Sequence, residues 1–228
     1  MRKLLAKKQE RWRHPFFFEG ADFIWEQIST GEVKLECENR VFTLPKPALI
    51  GPHQIQNAAL AAASIIYSDN FTPLDDRLFS GIGLAKWPGR VQFIDEGTLL
   101  NYRDARPIWI DGAHNSHGAT ALAASLAQIT EEKWTLIAGM LTTRKPDDVF
   151  MPLKNLISEI FTITIPGQPA SLSAQALSDN CQDLGIKATA KSSLSAALSA
   201  TSESEFVVIC GSLYLAGHAL LLNDTLPE

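Results

Sequence analysis

The stretch that decides the fold is Pro107-Ile108-Trp109-Ile110-Asp111-Gly112-Ala113-His114-Asn115. Its first residues predict a short buried strand, and an alanine-rich helix is predicted to open near His117. Between them stand a carboxylate, a glycine turn and two further polar side chains. Open α/β folds bind ligands where their strands end in such turns. We therefore expect Asp111, His114 and Asn115 to lie where a ligand binds.

Around this stretch, short apolar runs alternate with helix-forming runs. The predicted strands are 91–94, 99–102, 108–110, 134–138, 160–165 and 206–210, and the predicted helices are 117–129, 147–157, 173–184, 192–201 and 213–222. Right-handed crossovers between such strands give a parallel sheet that is covered by helices on both faces. The pattern predicts an α/β, Rossmann-like, mostly parallel sheet with an antiparallel hairpin at one edge.

The amino-terminal part of the chain has a different pattern. Aromatic and β-branched residues in 16–25 and 33–44 predict antiparallel strands, and 53–67 predicts a helix. A further helix is expected to start at Thr72-Pro73 and to end at Gly81 and Gly83. The basic residues among the first 13 predict the solvated face of a terminal helix.

Composition excludes several classes of function. The chain has 228 residues, of which 46% are hydrophobic, and a net charge of −5. This length allows one large core or two small ones, and the negative charge argues against nucleic-acid binding. The three cysteines are far apart and form no C-x-x-C pair, which argues against a disulfide framework or a zinc site. No apolar run approaches the roughly 18 residues that cross a bilayer, so we expect a cytoplasmic protein without a membrane partner.

Familiar catalytic motifs are missing from the sequence. It contains no G-x-x-x-x-G-K-[ST] phosphate loop, no G-x-S-x-G elbow and no G-x-G-x-x-G turn at the first strand of the sheet. If the protein acts on a nucleotide, half of its site therefore lies elsewhere. Asp111, His114 and His117 have a metal-like spacing but no second cluster of ligands, and we assign no metal ligand.

Three other residues are candidates with an ordinary structural alternative each. Asn57 lies in the segment that opens a helix and can hydrogen-bond an adenine edge, or it is a surface or packing residue. Arg90 follows Pro88-Gly89 and can clamp phosphate oxygens, or it forms an interdomain salt bridge. Ser212 follows a buried strand and can receive a carboxylate or phosphate, or it simply starts a helix. Likewise, Asn115 or Ser116 can serve only as the cap of the next helix.

Five segments, taken together in their order and spacing, resemble the folylpolyglutamate synthase/dihydrofolate synthase family of the Mur ligase superfamily. They are 53–63, 87–92, 111–115, 139–141 and 211–217, and 166–173 resembles the bacterial bifunctional type. The resemblance implies that residues 1–88 are a fragment of the central P-loop ATPase domain and that 89–228 form the C-terminal, glutamate-ligase domain. The family's phosphate loop and most of its magnesium ligands would then precede Met1, and we expect no turnover from this chain alone.

The resemblance also implies a reaction and a set of binding residues. The full-length protein would be an ATP-dependent carbon–nitrogen ligase that adds L-glutamate to dihydropteroate or tetrahydrofolate through an acyl phosphate, with ATP and Mg²⁺. Asn57, Arg90 and Asp111 would bind ATP, and His114 and Ser212 would bind glutamate; no catalytic residue is assigned. The expected partners are these small molecules and a separate amino-terminal half.

The sequence departs from the family pattern at two places. Position 116 is Ser where the family commonly has Pro, and the loop 142–147 lacks the usual Lys-Asp pair, so we assign this loop no role. Two other functions stay open: a Mur-type ligase that joins an amino acid to a cell-wall precursor, and a non-catalytic nucleotide- or partner-binding module. A nicotinamide dehydrogenase is disfavoured by the missing glycine motif.

Overall fold

The computed structural model of the chain describes residues 16–37, 39–68, 76–201 and 204–225. The described residues form two compact units, one from those within 1–48 and 53–85 and the other from those within 49–52 and 86–228. The expectations for the first 13 residues and for a helix start at Thr72 fall outside the described residues. The domain boundary between residues 88 and 89 stays a prediction.

The first unit contains a three-stranded antiparallel sheet. Its strands are β1 (Phe23–Gln27), β2 (Val33–Cys37) and β3 (Arg40–Leu44), which pair in chain order. Val33, Leu35 and Cys37 of β2 alternate toward the core, where they pack with alanines of helix α1 (Pro52–Ile66). The antiparallel strands expected from 16–44 are thus confirmed, as is the helix at 53–67.

The second unit is a six-stranded sheet with helices on both faces. Its elements in chain order are β4 (Gln92–Ile94), β5 (Ile108–Ile110), α2 (Ser116–Ile129), β6 (Trp134–Ala138), α3 (Pro146–Phe150), β7 (Ile157–Thr162), α4 (Ala174–Asp183), β8 (Ala188–Ala190), α5 (Leu194–Ser199), β9 (Val207–Cys210) and α6 (Leu213–Leu222). The strand order is β4-β5-β9-β6-β7-β8, and all neighbours are parallel except β4 and β5. The predicted α/β, mostly parallel sheet is confirmed.

Side chains from the two faces of this sheet build two separate cores. Helices α2, α3 and α4 pack on one face, where Trp134, Leu136 and Val208 point. Helices α5 and α6 pack on the other face, with Ile137 and Ile209. Because successive strand residues point to opposite faces, β9, which is apolar throughout, and β6, which is apolar except for Thr135, are buried on both sides.

Three expectations about individual elements are wrong, and one strand was not predicted. Residues 99–102 form part of a 3-10 helix, Thr98–Tyr102, because Leu99 and Leu100 are buried against the α5 and α6 core; the edge strand β4 therefore pairs with β5. The helix expected over 147–157 ends at Phe150, since Pro152 has no N–H to continue it. The 3-10 helix Asp76–Leu84 continues through Gly81 and Gly83 instead of ending there. Strand β8 was not predicted, because Ala188 and Ala190 lack strand propensity and depend on pairing with β7.

None of the helices in the described ranges combines the length and apolar character that a bilayer-spanning helix requires.

Candidate functional site

The candidate site lies where three neighbouring strands of the six-stranded sheet end. At their carboxyl ends, β5 and β6 continue into α2 and α3 on one face, whereas β9, which lies between them, continues into α6 on the opposite face. Adjacent connections that diverge in this way open a crevice at the edge of the sheet, and open α/β folds bind ligands in such crevices. The loops after β5 and β9 carry Asp111, His114 and Ser212.

Asp111 is almost fully buried directly after β5, with 5% of its surface exposed. One carboxylate oxygen accepts a hydrogen bond from the Val91 N–H at 2.9 Å, and the other accepts one from the Ala113 N–H at 2.7 Å. Burial raises the pKa of Asp111, although these two hydrogen bonds and the nearby charges of Arg90 and His114 oppose the rise. The Asp111 side chain therefore holds the backbone at Val91 and the backbone at Ala113 in place.

The segment that carries Arg90 is held against the loop after β5. The Gly112 N–H donates to the Gly89 carbonyl at 2.8 Å, and the Gly89 N–H donates to the Gln92 side chain at 2.9 Å. Val91 has a φ of 45°, which a β-branched residue rarely adopts, so its bond to Asp111 stabilises a strained backbone. Arg90 itself is exposed, and the structure brings it close to Asp111.

His114 has one ring nitrogen committed to the backbone. Its Nδ1 lies 2.8 Å from the Gly112 carbonyl oxygen. Because a carbonyl only accepts, Nδ1 carries the proton, and Nε2 of the neutral ring is left with its lone pair. A half-buried histidine in this tautomer can accept a proton or a hydrogen bond at Nε2. Its neighbour Asn115 caps α2 by accepting a hydrogen bond from the Gly118 N–H, as the capping alternative expected.

Ser212 is buried at the start of α6, after a glycine that the fold requires. Its hydroxyl oxygen accepts a hydrogen bond from the Tyr214 N–H at 3.1 Å, which caps the helix and leaves the hydroxyl proton to donate elsewhere. Gly211 has a φ of 101°, and its N–H donates to the Ala113 carbonyl at 2.9 Å. The loops after β5 and β9 are thus joined through their backbones.

A cavity of about 210 Å³ lies beside these loops. Residues from the segments that follow β5, β6 and β9 line it, among them His114, Leu141, Arg144, Ser212 and Tyr214. The structure therefore brings His114 and Ser212, the two predicted glutamate-binding residues, to one cavity. Arg90 and Asp111 lie on the adjoining segments, held together by the bonds described above.

Asn57 belongs to the first compact unit and is exposed on α1. Its side-chain amide donates to the Gln54 side chain at 3.0 Å, one turn earlier in the same helix. The described part of the chain contains no group of three or more His, Cys, Asp or Glu residues arranged to hold a metal ion. Asp111 and His114 instead use their side chains to bind the backbone.

A family profile described as "Dihydrofolate synthetase, C-terminal domain" matches residues 99–222. The chain belongs to this family. The match covers the six-stranded sheet from the segment after β4 to the end of α6, and it includes Asp111, His114 and Ser212.

Several named proteins are similar to this chain in sequence or in structure. The folylpolyglutamate synthase of Lacticaseibacillus casei is 29% identical over 195 residues, which are 84% of this chain and 42% of that protein. A Mycobacterium tuberculosis folylpolyglutamate synthase, solved with ADP and AMPPCP, covers 100% of this chain at 23% identity and a TM-score of 0.82. A bifunctional folylpolyglutamate synthase/dihydrofolate synthase structure, solved with Mn, AMPPNP and L-glutamate, covers 96% of this chain at 24% identity and a TM-score of 0.78. A bifunctional folylpolyglutamate synthase/dihydrofolate synthase from Yersinia pestis also covers 96% at 24% identity, with a TM-score of 0.77.

This member of the dihydrofolate synthetase C-terminal domain family matches only part of each relative. It spans 42% of the Lacticaseibacillus casei protein, 53% of the Mycobacterium tuberculosis chain and 50% of the third structure. The resemblance that the five sequence segments indicated is confirmed, with this chain matching the C-terminal part.

The loop after β6 was not predicted to belong to the site. Leu141, Thr143 and Arg144 line the cavity, yet the loop 142–147 was assigned no role because it lacks a Lys-Asp pair. Its position in the sequence could have identified it, because it follows β6, a buried and mostly apolar strand like β9. Loops after the central strands of a parallel sheet meet at the same edge.

The burial of Asp111 makes the stability of the chain depend on pH. Because the pKa of Asp111 is raised above its ordinary value of 3.8, the folded protein binds more protons than the unfolded chain between the two values. We therefore expect the free energy of unfolding of the wild type, relative to Asp111→Asn, to decrease as the pH rises from about 4 through the raised pKa. Urea unfolding of both proteins between pH 4 and 7 measures this difference. A difference that stays constant or increases with pH contradicts the expectation.

Proposed function

We propose that this chain is the carboxyl-terminal part of an ATP-dependent ligase that joins L-glutamate to a dihydropteroate or tetrahydrofolate acceptor. ATP phosphorylates the acceptor carboxylate, and the glutamate amine then attacks the acyl phosphate, which forms an amide and releases phosphate. One observation carries the proposal: in a member of this family, His114 and Ser212 line one cavity, and Asp111, which precedes His114 in the loop after β5, lies close to Arg90.

Two charged groups suit the nucleotide side of this reaction. The exposed Arg90 guanidinium stands on a backbone that Gly89 and Val91 fix through hydrogen bonds, so only its side chain has to be ordered on phosphate oxygens. Asp111 accepts two backbone hydrogen bonds and keeps spare lone pairs for a ribose hydroxyl. Asn57 is proposed to contact adenine; its amide has one hydrogen and its carbonyl oxygen beyond the bond to Gln54.

The cavity side suits the amino acid. With Nδ1 bound to the Gly112 carbonyl, His114 presents Nε2, which can accept a hydrogen bond from the amino group and take up its proton before attack. Ser212 has a hydroxyl proton that can be donated to a carboxylate oxygen. The positive end of α6 lies at the same place, which also favours an anion.

Relatives support this set of ligands. The third structure compared above was solved with Mn, AMPPNP and L-glutamate, and the Mycobacterium tuberculosis structure with ADP and AMPPCP. We propose that ATP and a divalent cation serve this protein too. The described residues do not provide a cluster that suits the cation, so we assign it no ligand here and derive no step through it.

A chimera tests the proposed function. In it, this chain replaces the matching part of the Lacticaseibacillus casei synthase, and ATP- and glutamate-dependent extension of folate acceptors is measured beside the chain alone. We expect turnover by the chimera, and we expect Arg90→Ala to lower kcat/KM by about 10²–10³-fold through lost stabilisation of phosphate charge.

Arg106→Ala is the matched control, because Arg106 is exposed before the start of β5, at the opposite end of that strand. Its kcat/KM should stay within about twofold of the wild type. Equal rates for Arg90→Ala and the parent chimera would contradict the role of Arg90. Turnover with UDP-linked cell-wall precursors but not with folates would contradict the acceptor.

A further inference from the structure

The side chain of Gln92 closes the turn that carries Arg90. Gln92 is the first residue of β4 and pairs with Ile110 in the antiparallel ladder with β5. Its side-chain oxygen accepts a hydrogen bond from the Gly89 N–H at 2.9 Å. Gly89 is buried, so its N–H needs an acceptor within the protein. Gln92 supplies that acceptor from the other end of the same turn.

The backbone of this turn has an uncommon shape on both sides of Arg90. Gly89 has a φ of 68° and Val91 a φ of 45°, and both angles lie in the left-handed region. Such a conformation costs free energy at Val91, so other contacts have to select it. Since the backbone sets the direction in which a side chain leaves the chain, contacts that fix this turn also fix where Arg90 points.

Three hydrogen bonds hold the turn, and they have two origins. Two of them join it to the loop after β5: the Gly112 N–H donates to the Gly89 carbonyl at 2.8 Å, and the Val91 N–H donates to the Asp111 carboxylate at 2.9 Å. The third comes from Gln92, within the turn itself. Gln92 is uncharged and only half-buried, and a substitution there leaves the other two bonds in place. It can therefore loosen the turn without removing the contacts that hold the loop after β5.

We propose that Gln92 is a positioning residue, which fixes the turn from which Arg90 reaches the phosphates of ATP and so raises the affinity for ATP without touching it. The inference rests on the proposed function, which brings the phosphates to Arg90. On a fixed turn, only the rotamers of the arginine are restricted when ATP binds. On a loosened turn the backbone is restricted as well, and this added loss of entropy lowers the affinity. The contribution of Gln92 therefore depends on the presence of Arg90.

A double-mutant cycle on the chain itself tests this dependence. Amide chemical shifts of Val91 and Gly112 are followed by NMR while ATP is added to the wild type, Gln92→Met, Arg90→Ala and the double variant. Methionine is similar in length to glutamine, but its thioether is only a weak acceptor. We expect Gln92→Met to weaken ATP binding by about 5–15-fold, which corresponds to the loss of one hydrogen bond. In the Arg90→Ala background the same substitution should change the affinity by less than about twofold.

Amide hydrogen exchange shows whether the turn is loosened while the fold persists. The Gly89 N–H should exchange about tenfold faster in Gln92→Met than in the wild type, whereas the Ile137 N–H in the central strand β6 should exchange at an unchanged rate. Gln92→Glu keeps an oxygen acceptor and should keep the slow exchange of Gly89. Unchanged exchange of Gly89 in Gln92→Met would show that the side chain does not order the turn and would overturn the inference.

Gln128→Met is the matched control for the binding measurement. Gln128 is exposed near the C-terminal end of α2, in the same compact unit, whereas the loop after β5 leads into the start of that helix. Its substitution should leave the affinity for ATP within about twofold of the wild type. An equal loss in Gln128→Met and Gln92→Met would overturn the inference. So would an equal loss from Gln92→Met with and without Arg90→Ala, an unchanged affinity in Gln92→Met, or an absence of ATP-dependent shifts in the wild type.

The two proposals fail in different ways. If the chimera ligates glutamate and Gln92→Met lowers kcat/KM by the same factor with and without Arg90→Ala, the role of Gln92 is wrong and the function stands. If the chimera has no ligase activity while the NMR titration shows an effect of Gln92→Met that depends on Arg90, the role of Gln92 stands and the function is wrong.

Discussion

Asp111→Ala is expected to lower the free energy of unfolding by about 2–5 kcal/mol, because it removes the acceptor of two buried hydrogen bonds. The N–H groups of Val91 and Ala113, two buried residues, would lose their partner. Val91 would also lose the bond that stabilises its positive φ. Denaturant unfolding with a circular-dichroism readout measures the change.

Two further variants make this expectation specific. Asp111→Asn keeps one oxygen acceptor but places an amide donor opposite the other N–H. Its decrease in the free energy of unfolding should therefore be about half that of Asp111→Ala. Asp95→Ala removes an exposed carboxylate from the same unit and should change stability by less than about 0.5 kcal/mol. Equal stability of Asp111→Ala and the wild type would show that these hydrogen bonds do not stabilise the fold.

Gly211→Ala is the second substitution with a large expected effect. At a φ of 101° an L side chain is strained, and a Cβ would lie 2.9 Å from the Gly139 carbonyl oxygen, which belongs to the backbone and cannot easily move. We expect a loss of about 2–4 kcal/mol in the free energy of unfolding. Because Gly211 adjoins Ser212 and binds the Ala113 carbonyl, ligand binding at the cavity should weaken as well.

Gly217→Ala supplies the contrast within the same segment. Gly217 lies inside α6 with no positive φ, and a Cβ there meets nothing within 4 Å. Because alanine forms helices more readily than glycine, the free energy of unfolding of this variant should increase by about 0.5–1 kcal/mol. Thermal unfolding of both variants tests the pair, and a neutral Gly211→Ala would contradict the requirement for glycine.

The sequence was sufficient to predict an element where one local signal dominates. Apolar runs such as Trp134–Ala138 predict buried strands without knowledge of their neighbours, and Asn115 is a good cap in any context. It was insufficient where tertiary contacts decide. Residues 99–102 read as a strand, but the side chain of Asn223 accepts the Leu99 N–H and the segment forms a 3-10 helix. Arg144 was passed over for a related reason, because only the strand order places its loop beside His114 and Ser212.

The backbone bonds that join Gly89 to Gly112 and Ala113 to Gly211 have one more consequence. They fix the loops around the crevice during folding, independently of any ligand. The conformational entropy of these loops is thus lost once, when the chain folds, and is not lost again at each binding event. A small molecule that enters the crevice has only its own freedom and that of a few side chains to restrict, which is how weakly attractive individual contacts can still hold it in a defined orientation.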